Sequence, residues 1–327
     1  MKTFAASLAL IFALSFIAGC ESEPEDATSI ATPIDRPVVV QDVSPEPNLA
    51  PTQIMTASHV SSSVESTPDD VKSVGFTPTY RLFSWNVESD GADSKVIAEQ
   101  LKEMNPDEHY DIFALTEVLP QDLKVYQMAL GSNYQYAYSK SGSSDRLEIL
   151  YNEDKFELVQ FMELKEINIL GRYRAPLIVH LRDRETKVEF QVMVNHLARG
   201  KAEIRQQQAT MLVEWARDQT LPVFALGDYN FDYVFSTRKG NEGFVNMMRD
   251  NIWKWIEPET LIDTNWYDNP REPDGIDDYP GSMLDFAFVA GPAKNWKATC
   301  KIIVRDGDFP DDKSTSDHRP YELLIAN

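Results

Sequence analysis

From Tyr80 to the C-terminus, apolar runs and amphipathic segments follow one another along the chain. The apolar runs predict strands near residues 79–87, 110–116, 134–138, 146–152, 156–162, 175–182, 187–195, 222–227, 284–290, 298–304 and 320–326. Apolar positions at helical spacing predict helices over 94–104, 121–130 and 202–218. Mixed strands with intervening helices predict an α/β domain in which two sheets pack together with helices outside.

The first twenty residues have the pattern of an export signal. A lysine precedes an apolar run from Phe4 to Ile17 that is too short for an ordinary spanning helix. The sequence IAGC at 17–20 is similar to the bacterial lipobox, in which cleavage exposes a cysteine that carries lipid. We expect a lipoprotein signal peptide over 1–20, lipidation of Cys20 and anchoring in the bacterial cell envelope, facing periplasm or exterior. A plain cleaved signal and a retained anchor are the alternatives.

Residues 21–75 are rich in Ser, Thr, Pro, Asp and Glu and show no apolar periodicity, which predicts a disordered linker before a domain over 76–327. Cys300 is the second of two cysteines, so lipidation of Cys20 leaves no intramolecular disulfide and no zinc site built on cysteine. The formal net charge of -21 argues against broad electrostatic binding of nucleic acid. A phosphate-bearing substrate must therefore be held locally.

Polar side chains repeatedly follow the predicted strands, in FSWNV, FALTEV, VMVNHL, FALGDYN and MLDFAFV. Strand ends that share an edge of a sheet converge, so these residues predict a site. Carboxylate and amide oxygens are ligands for magnesium or manganese, and histidine braced by a carboxylate transfers protons. The candidates for these roles are Asn86, Glu117, His196, Asp228, Asn230, Asp317 and His318.

Seven short motifs over Tyr80 to Asn327 resemble the endonuclease/exonuclease/phosphatase superfamily and occur in its order. They are SWNV at 84–87, LTEV at 115–118, RAP at 174–176, NHL at 195–197, GDYN at 227–230, LDF at 284–286 and SDHRP at 316–320. The resemblance implies a four-layered, DNase I-like α/β sandwich and hydrolysis of phosphate esters with Mg²⁺, or with Mn²⁺ or Ca²⁺.

The resemblance also implies a metal site and a substrate contact. Glu117 corresponds to the main metal ligand, and Asn86 and Asp317 complete the site directly or through water. Arg174, in the RAP motif, contacts phosphate or braces the site. Asp145 is the nearest match to a carboxylate that braces the first histidine in one branch of the superfamily.

The proton-transfer roles follow in the same way. Asp228 and Asn230 orient or activate water and contact the scissile phosphate, while Asp285 polarises His318. His196 donates a hydrogen bond or proton toward a phosphate oxygen or the leaving group. The general base is assigned jointly to Asp228 and to the dyad of Asp285 with His318.

We therefore expect a monomeric, surface-anchored nuclease that cleaves DNA or RNA phosphodiesters by in-line attack of water. The alternatives are a phospholipid or sphingolipid phosphodiesterase, a phosphomonoesterase on the same fold, and a surface binding module without catalysis.

Several residues keep an ordinary structural interpretation beside the functional one. Asp228 and Asn230 are compatible with a turn, and His196 with a hydrogen-bonded core histidine. Two further sets of charged residues also keep two interpretations. Arg199, Lys201 and Arg205 fit either a cationic rim for phosphate or a solvated helix start. Asp274, Asp277 and Asp278 fit a calcium-binding loop, although their spacing differs from that of an EF-hand. Trp253, Trp255 and Trp266 fit core packing better than base stacking.

Overall fold

The protein is described by a computed structural model that covers residues 79–89 and 91–327. The predicted signal peptide over 1–20, the lipidation site Cys20 and the linker over 21–75 lie outside these residues. Within them, no helix combines the length and apolar character needed to cross a bilayer.

The described strands form two six-stranded sheets. The first sheet contains β1 (Tyr80–Asn86), β2 (Ile112–Val118), β3 (Tyr134–Tyr138), β4 (Arg146–Asn152), β11 (Lys297–Ile302) and β12 (Tyr321–Ala326). The second contains β5 (Phe156–Glu163), β6 (Leu177–Asp183), β7 (Glu189–His196), β8 (Val223–Val234), β9 (Lys254–Trp255) and β10 (Ser282–Ala290).

Each sheet contains one parallel pair among antiparallel neighbours. The orders are β11-β12-β1-β2-β4-β3 and β5-β6-β7-β8-β10-β9. β1 is parallel to β2, and β7 is parallel to β8. The carboxyl ends of each parallel pair therefore lie at one edge of their sheet, where polar residues follow all four strands.

Among the described residues, four α-helices cover the outer faces, namely α1 (Ser94–Met104), α2 (Leu123–Leu130), α3 (Ala202–Arg217) and α4 (Glu242–Met247). Asp93 caps α1 by accepting a hydrogen bond from Lys95 N, and Asn241 caps α4. The apolar faces of α1 and α2 pack on the first sheet and those of α3 and α4 on the second, while a third cluster fills the space between the sheets. The predicted four-layered α/β sandwich is confirmed.

The structure differs from the sequence-based elements mainly around the GDYN motif. β8 continues seven residues beyond Gly227, to Val234, where the sequence predicts an end. Gly227, Asn230 and Asp232 adopt positive φ angles of 130°, 52° and 45°. Residue types that favour turns are thus absorbed as local irregularities within a paired strand, because neighbouring strands hold the backbone. The short elements α4 and β9 have too few residues to give a periodic signal.

Tyr321 connects the two sheets below the polar strand ends. Its buried hydroxyl accepts a hydrogen bond from Gly227 N at 2.7 Å and donates one to Phe286 O at 2.6 Å. Tyr321 belongs to the first sheet, whereas Gly227 and Phe286 belong to β8 and β10 of the second. This one hydroxyl therefore fixes the relative position of both sheets.

Replacing Tyr321 by phenylalanine is expected to destabilise the protein by about 1–3 kcal/mol, because two buried backbone groups lose their partner. Urea unfolding measures the change in the free energy of unfolding. The exposed Tyr138 is the matched control, and its change to phenylalanine is expected to stay within about 0.5 kcal/mol. Equal stability of both variants would contradict the bridging role of Tyr321.

Glu148 is an ionisable group enclosed by the first sheet. It lies on β4 opposite Leu115 of β2 and Tyr138 of β3, its side chain is fully buried, and neither carboxyl oxygen has a hydrogen-bond partner. Burial raises the pKa of Glu148 well above its ordinary value. A raised pKa in the folded state stabilises the protein below the unfolded-state pKa, and this stabilisation is lost as the pH rises.

The change Glu148→Gln is therefore expected to stabilise the protein increasingly above about pH 4.5, by about 1.4 kcal/mol per pH unit while the folded carboxyl stays protonated. Urea unfolding at several pH values measures this difference. Glu99→Gln, on the exposed face of α1, is the control and should show a difference that does not vary with pH. A pH-independent effect of Glu148→Gln would show that the buried carboxyl is solvated.

Candidate active site

The polar residues at the strand ends meet between the two sheets. Asn86 ends β1, and Glu117 lies next to the end of its parallel partner β2. In the second sheet, His196 at the end of β7 pairs in register with Asp228 of β8, and Asp228 pairs with Asp285 of β10. The two parallel pairs thus bring residues that are far apart in sequence to one place.

Asn86 lies at the centre of this cluster and is buried. Its Nδ2 donates to Glu117 Oε1 at 3.1 Å and to Asp228 Oδ2 at 3.2 Å, and its Oδ1 accepts from Glu88 N at 3.1 Å. In this geometry the amide holds two carboxylates together across the sheet interface. Its predicted role as a metal ligand stays a prediction.

Glu117 occupies a strained backbone position, with a φ angle of 58°. A non-glycine residue in the left-handed region is costly, and such residues concentrate where a side chain must be directed into a functional site. The pairing of β2 with β4 also shifts register between Leu115 and Val118. This bulge turns the carboxylate of Glu117 toward Asn86, away from the position that regular alternation would give.

The cluster has the donor set of a metal site. One ligand atom each from Glu117, His196 and Asp228 lies within 4.8 Å of the others. Burial raises the pKa of Asp228 to about 7, and burial also raises the pKa of Glu117. The partly buried Glu117 and the buried Asp228 direct two carboxylates toward the imidazole of His196. These residues therefore fit a divalent cation.

His318 and Asp285 form a buried dyad. His318 Nδ1 lies 2.8 Å from Asp285 Oδ2, and its Nε2 faces the cluster, 3.9 Å from Asp228 Oδ2. Burial by itself lowers the pKa of His318, but the carboxylates of Asp285 and Asp317 raise this pKa to about 10. Trp85 Nε1 donates to His318 O at 2.7 Å and fixes the loop. The dyad thus presents a positively charged imidazolium toward Asp228.

The expectation that Asp145 braces His196 is wrong. Both oxygens of Asp145 accept hydrogen bonds from Arg174, and His196 Nδ1 has no partner among the described residues. His196 Nε2 instead faces Asp228 Oδ2 at 3.5 Å and Glu117 Oε1 at 3.7 Å. The stronger partner for Asp145 is a guanidinium that binds both oxygens, which a neutral imidazole cannot do.

Arg174 acts on the site through its charge. Burial and then the charge of Arg174 lower the pKa of His196 well below its ordinary value. The imidazole of His196 is therefore neutral at pH 7 and acts as a donor through one N–H group. With Asp145 as its anchor, Arg174 is oriented beside the cluster.

Asn230 and the segment after His196 are held together. Asn230 Nδ2 donates to Leu197 O at 3.1 Å, and Asn230 N donates to Asp228 Oδ1 at 2.9 Å. Arg205 is buried and donates to the carbonyl oxygens of Ala198 and Arg199 at 2.8 and 2.7 Å. Of the three cations after NHL, Arg205 thus belongs to the interior and positions this segment, and it is no part of a rim.

Asp317 and Glu88 form a second acidic part of the site. Asp317 N donates to Glu88 Oε2 at 2.8 Å, and Asp317 Oδ1 lies 3.8 Å from His318 Nε2. Burial and then Asp317 raise the pKa of Glu88 to about 7. Sequence reasoning missed Glu88. The available signal was an acid two residues beyond Asn86, at the same strand end.

The acidic loop and the tryptophans have mainly structural contacts. Asp274 and Asp277 accept hydrogen bonds from Ile276 N and Tyr279 N within the loop. Trp253 is fully buried, and Trp255 packs 5.7 Å from Phe286, measured between ring centroids. The preference for core packing of these two tryptophans is confirmed.

The fold and the cluster define a sandwich hydrolase whose site combines carboxylates, amides and histidines at the meeting edges of two sheets. The model of the endonuclease/exonuclease/phosphatase family matches residues 83–318. The chain therefore belongs to this family, and it is a phosphoesterase of the corresponding superfamily. A search of curated proteins finds no match to the sequence.

Solved structures with the same fold come from bacteria and animals. An endonuclease/exonuclease/phosphatase family protein from Bacteroides thetaiotaomicron is 19% identical, with a TM-score of 0.58 over 77% of this chain and 100% of that chain. A mannosyl-6-phosphatase from the same organism is 18% identical, with a TM-score of 0.56 over 76% and 100%. D. rerio TDP2, complexed with a single-strand DNA product, is 14% identical, with a TM-score of 0.60 over 76% and 99%.

Proposed function

We propose that the protein is a divalent-metal-dependent phosphodiesterase that cleaves nucleic acid, and that it is displayed on the bacterial envelope through lipid on Cys20. The convergence of Glu117, Asp228 and the dyad of His318 with Asp285 carries the proposal. The export signal supports it, because extracellular polynucleotide is a substrate available at that location.

The metal would be held by Glu117 with Asn86 and Asp317, or by Glu117 with Asp228 and His196. Carboxylate and amide oxygens suit Mg²⁺, while a set that includes an imidazole suits Mn²⁺ better. The ion, when bound, neutralises charge on the phosphate oxygens and so lowers the barrier to attack.

Residues of the chain supply the proton transfer and the hydrogen bonds that the reaction needs. With the metal on Glu117, Asn86 and Asp317, Asp228, whose pKa is about 7, accepts the proton of the attacking water. Asp285 keeps His318 protonated beside it. The His318 imidazolium and the neutral His196 donate hydrogen bonds to phosphate oxygens, and Asn230 orients the reacting group. The water oxygen bonds to phosphorus as the opposite ester bond breaks in line, and the released oxygen takes up a proton from solvent.

A small phosphomonoester is the second candidate substrate. The net charge of -21 opposes electrostatic binding of a long polyanion. A mannosyl-6-phosphatase also shares the fold at a TM-score of 0.56. A small substrate would need only the local charges of the site.

The test is a screen of the purified chain against plasmid, single-stranded DNA, RNA and sugar phosphates, each with Mg²⁺, Mn²⁺ and Ca²⁺. We expect cleavage of polynucleotide and its loss when the metal is chelated. Release of phosphate from sugar phosphates with intact polynucleotide would transfer the proposal to the second candidate. Intact substrates throughout would refute both.

The membrane location has its own test. Growth with labelled palmitate should label the wild-type chain and leave the Cys20→Ala variant unlabelled. Label retained by the variant would refute lipidation at Cys20.

A further inference from the structure

Two tyrosines and one arginine form a surface group, here named the ring platform, that consists of the half-buried Tyr267 and the exposed Arg199 and Tyr279. The ring centroids of Tyr267 and Tyr279 lie 5.9 Å apart with an interplanar angle of 23°. Arg199 Cζ lies 5.4 Å from the centroid of Tyr267. Tyr279 is 47% exposed, so an aromatic surface beside a positive charge reaches solvent.

The ring platform lies next to the active site along two separate segments. Tyr267 follows Trp266, whose N donates to Asp317 O at 2.9 Å, and Asn265 forms a β-bridge with His318. Tyr267 is therefore connected directly to the loop that carries His318.

Arg199 belongs to the second segment, which follows β7. It lies three residues beyond His196, and Arg205 binds its carbonyl oxygen. A phosphate between His196 and Asp317 would thus have the ring platform beside it.

Hydrogen bonds at the base of the acidic loop hold the two tyrosines in place. Asp278 N donates to Tyr267 O at 2.8 Å, and Tyr267 N donates to Asp277 Oδ1 at 3.2 Å. At the other end, Ser282 Oγ donates to Tyr279 O at 2.9 Å. The backbone that carries the two rings is therefore ordered, and the rings pack on each other, which lowers the entropy lost when a ligand stacks on them.

We propose that the ring platform is a specificity subsite that stacks an unpaired nucleobase adjacent to the scissile phosphate. The inference rests on the proposed nuclease function and narrows its substrate to single strands or frayed ends, because paired bases offer no free ring face. Stacking needs no positive surface, so it suits a chain of net charge -21. Arg199 adds a cation for a neighbouring phosphate.

A lipid surface is the competing ligand for this loop, since Ile276 is 65% exposed beside Tyr279. Three aspartates, at positions 274, 277 and 278, lie within two residues of Ile276. Insertion of the loop into a bilayer would bring their charges toward hydrocarbon, which is costly. A single stacked base leaves them in water, so the surroundings of Ile276 favour the nucleobase.

The test compares the binding of two oligomers that share the phosphate backbone and differ in whether they carry bases. Fluorescence anisotropy gives the Kd of labelled oligothymidylate and of an abasic tetrahydrofuran oligomer of equal length, with Mg²⁺ and the inactive His318→Ala protein. We expect tighter binding of oligothymidylate. Adding Tyr267→Leu or Tyr279→Leu should raise that Kd about 5- to 150-fold, the equivalent of about 1–3 kcal/mol per stacked base, and leave the abasic Kd unchanged.

Phe161→Leu is the matched control, because Phe161 is a 49% exposed aromatic residue on β5, outside the ring platform. If His318→Ala does not fold, wild-type protein with uncleavable phosphorothioate oligomers gives the same comparison. Equal Kd values for both oligomers, or a preference that survives both tyrosine changes, would overturn the subsite. So would selective loss of binding to phosphatidylcholine vesicles in Tyr279→Leu.

Hydrolysis by wild-type protein separates the two proposals. Base-dependent binding without cleavage of any polynucleotide would support the subsite and refute the nuclease function. Cleavage at equal rates of base-bearing and abasic oligomers, with equal Kd values, would support the nuclease function and refute the subsite.

Discussion

Replacing His318 by alanine is expected to lower kcat for phosphate-ester hydrolysis by about a hundredfold or more. His318 lies 2.8 Å from Asp285 and directs its other ring nitrogen toward Asp228. Loss of a positioned acid or base typically costs about two to four orders of magnitude. The measurement is turnover of the substrate identified by the metal and substrate screen, with circular dichroism to verify the fold.

His180 supplies a matched control for this result. It also pairs with a carboxylate, at 2.8 Å from Glu189, but it lies within β6 and contacts none of the residues of the cluster. We expect His180→Ala to keep wild-type kcat. Wild-type turnover in His318→Ala would mean that the dyad is structural. Absence of turnover in the wild type and in all variants would favour the interpretation as a binding module without catalysis.

Replacing Glu117 by glutamine is expected to abolish stabilisation by divalent metal. With the ion at a hundred times its Kd, binding adds about 2.7 kcal/mol to the free energy of unfolding, or a rise in Tm of about 5–10 °C for a domain of this size. The variant loses the ligand charge that attracts the cation, so its Tm should not respond. Thermal unfolding with Mg²⁺ and with Mn²⁺ measures both values.

Without metal, the change Glu117→Gln should affect stability in the opposite sense. Burial raises the pKa of Glu117, so the stability that this carboxyl contributes is present below its unfolded-state pKa and is lost as the pH rises. At pH 8 without metal, Glu117→Gln should therefore be at least as stable as wild type. Glu157→Gln, at an exposed ion pair on β5, is the control and should keep the metal-dependent rise in Tm. A full rise in Glu117→Gln would exclude Glu117 as the main ligand.

Local sequence patterns were sufficient to predict the helices and strands and most residues of the active-site cluster. The helix over Ser94–Met104 has the predicted bounds, because apolar spacing and an aspartate cap define it within the segment itself. Asn86, Glu117, His196 and Asp228 come together as their positions after apolar runs predict, and His318 joins them from the loop before β12. Parallel strands carry their carboxyl ends to one edge, which makes this convergence predictable.

The partners of individual side chains were predicted less reliably from the sequence, because each pair depends on distances between segments that only folding brings together. Arg174 takes Asp145, which lies 29 residues away, and leaves His196 without that carboxylate. Glu88 joins the site because its carboxylate meets Asp317, 229 residues further along the chain. No local periodicity contains information about such pairs.

The sequence by itself determined the alternation of strands and helices, the order of seven motifs and the chemical types of the reacting groups, since these depend on residue identity and short-range spacing. The tertiary structure alone decided the charge states of the two histidines and the formation of the ring platform. Facing carboxylates make the imidazole of His318 cationic although burial opposes this charge, while burial and nearby cations keep the imidazole of His196 neutral. The contact of Arg199 with Tyr267 likewise exists only in the folded chain, because pKa and stacking depend on solvent exclusion and proximity in space.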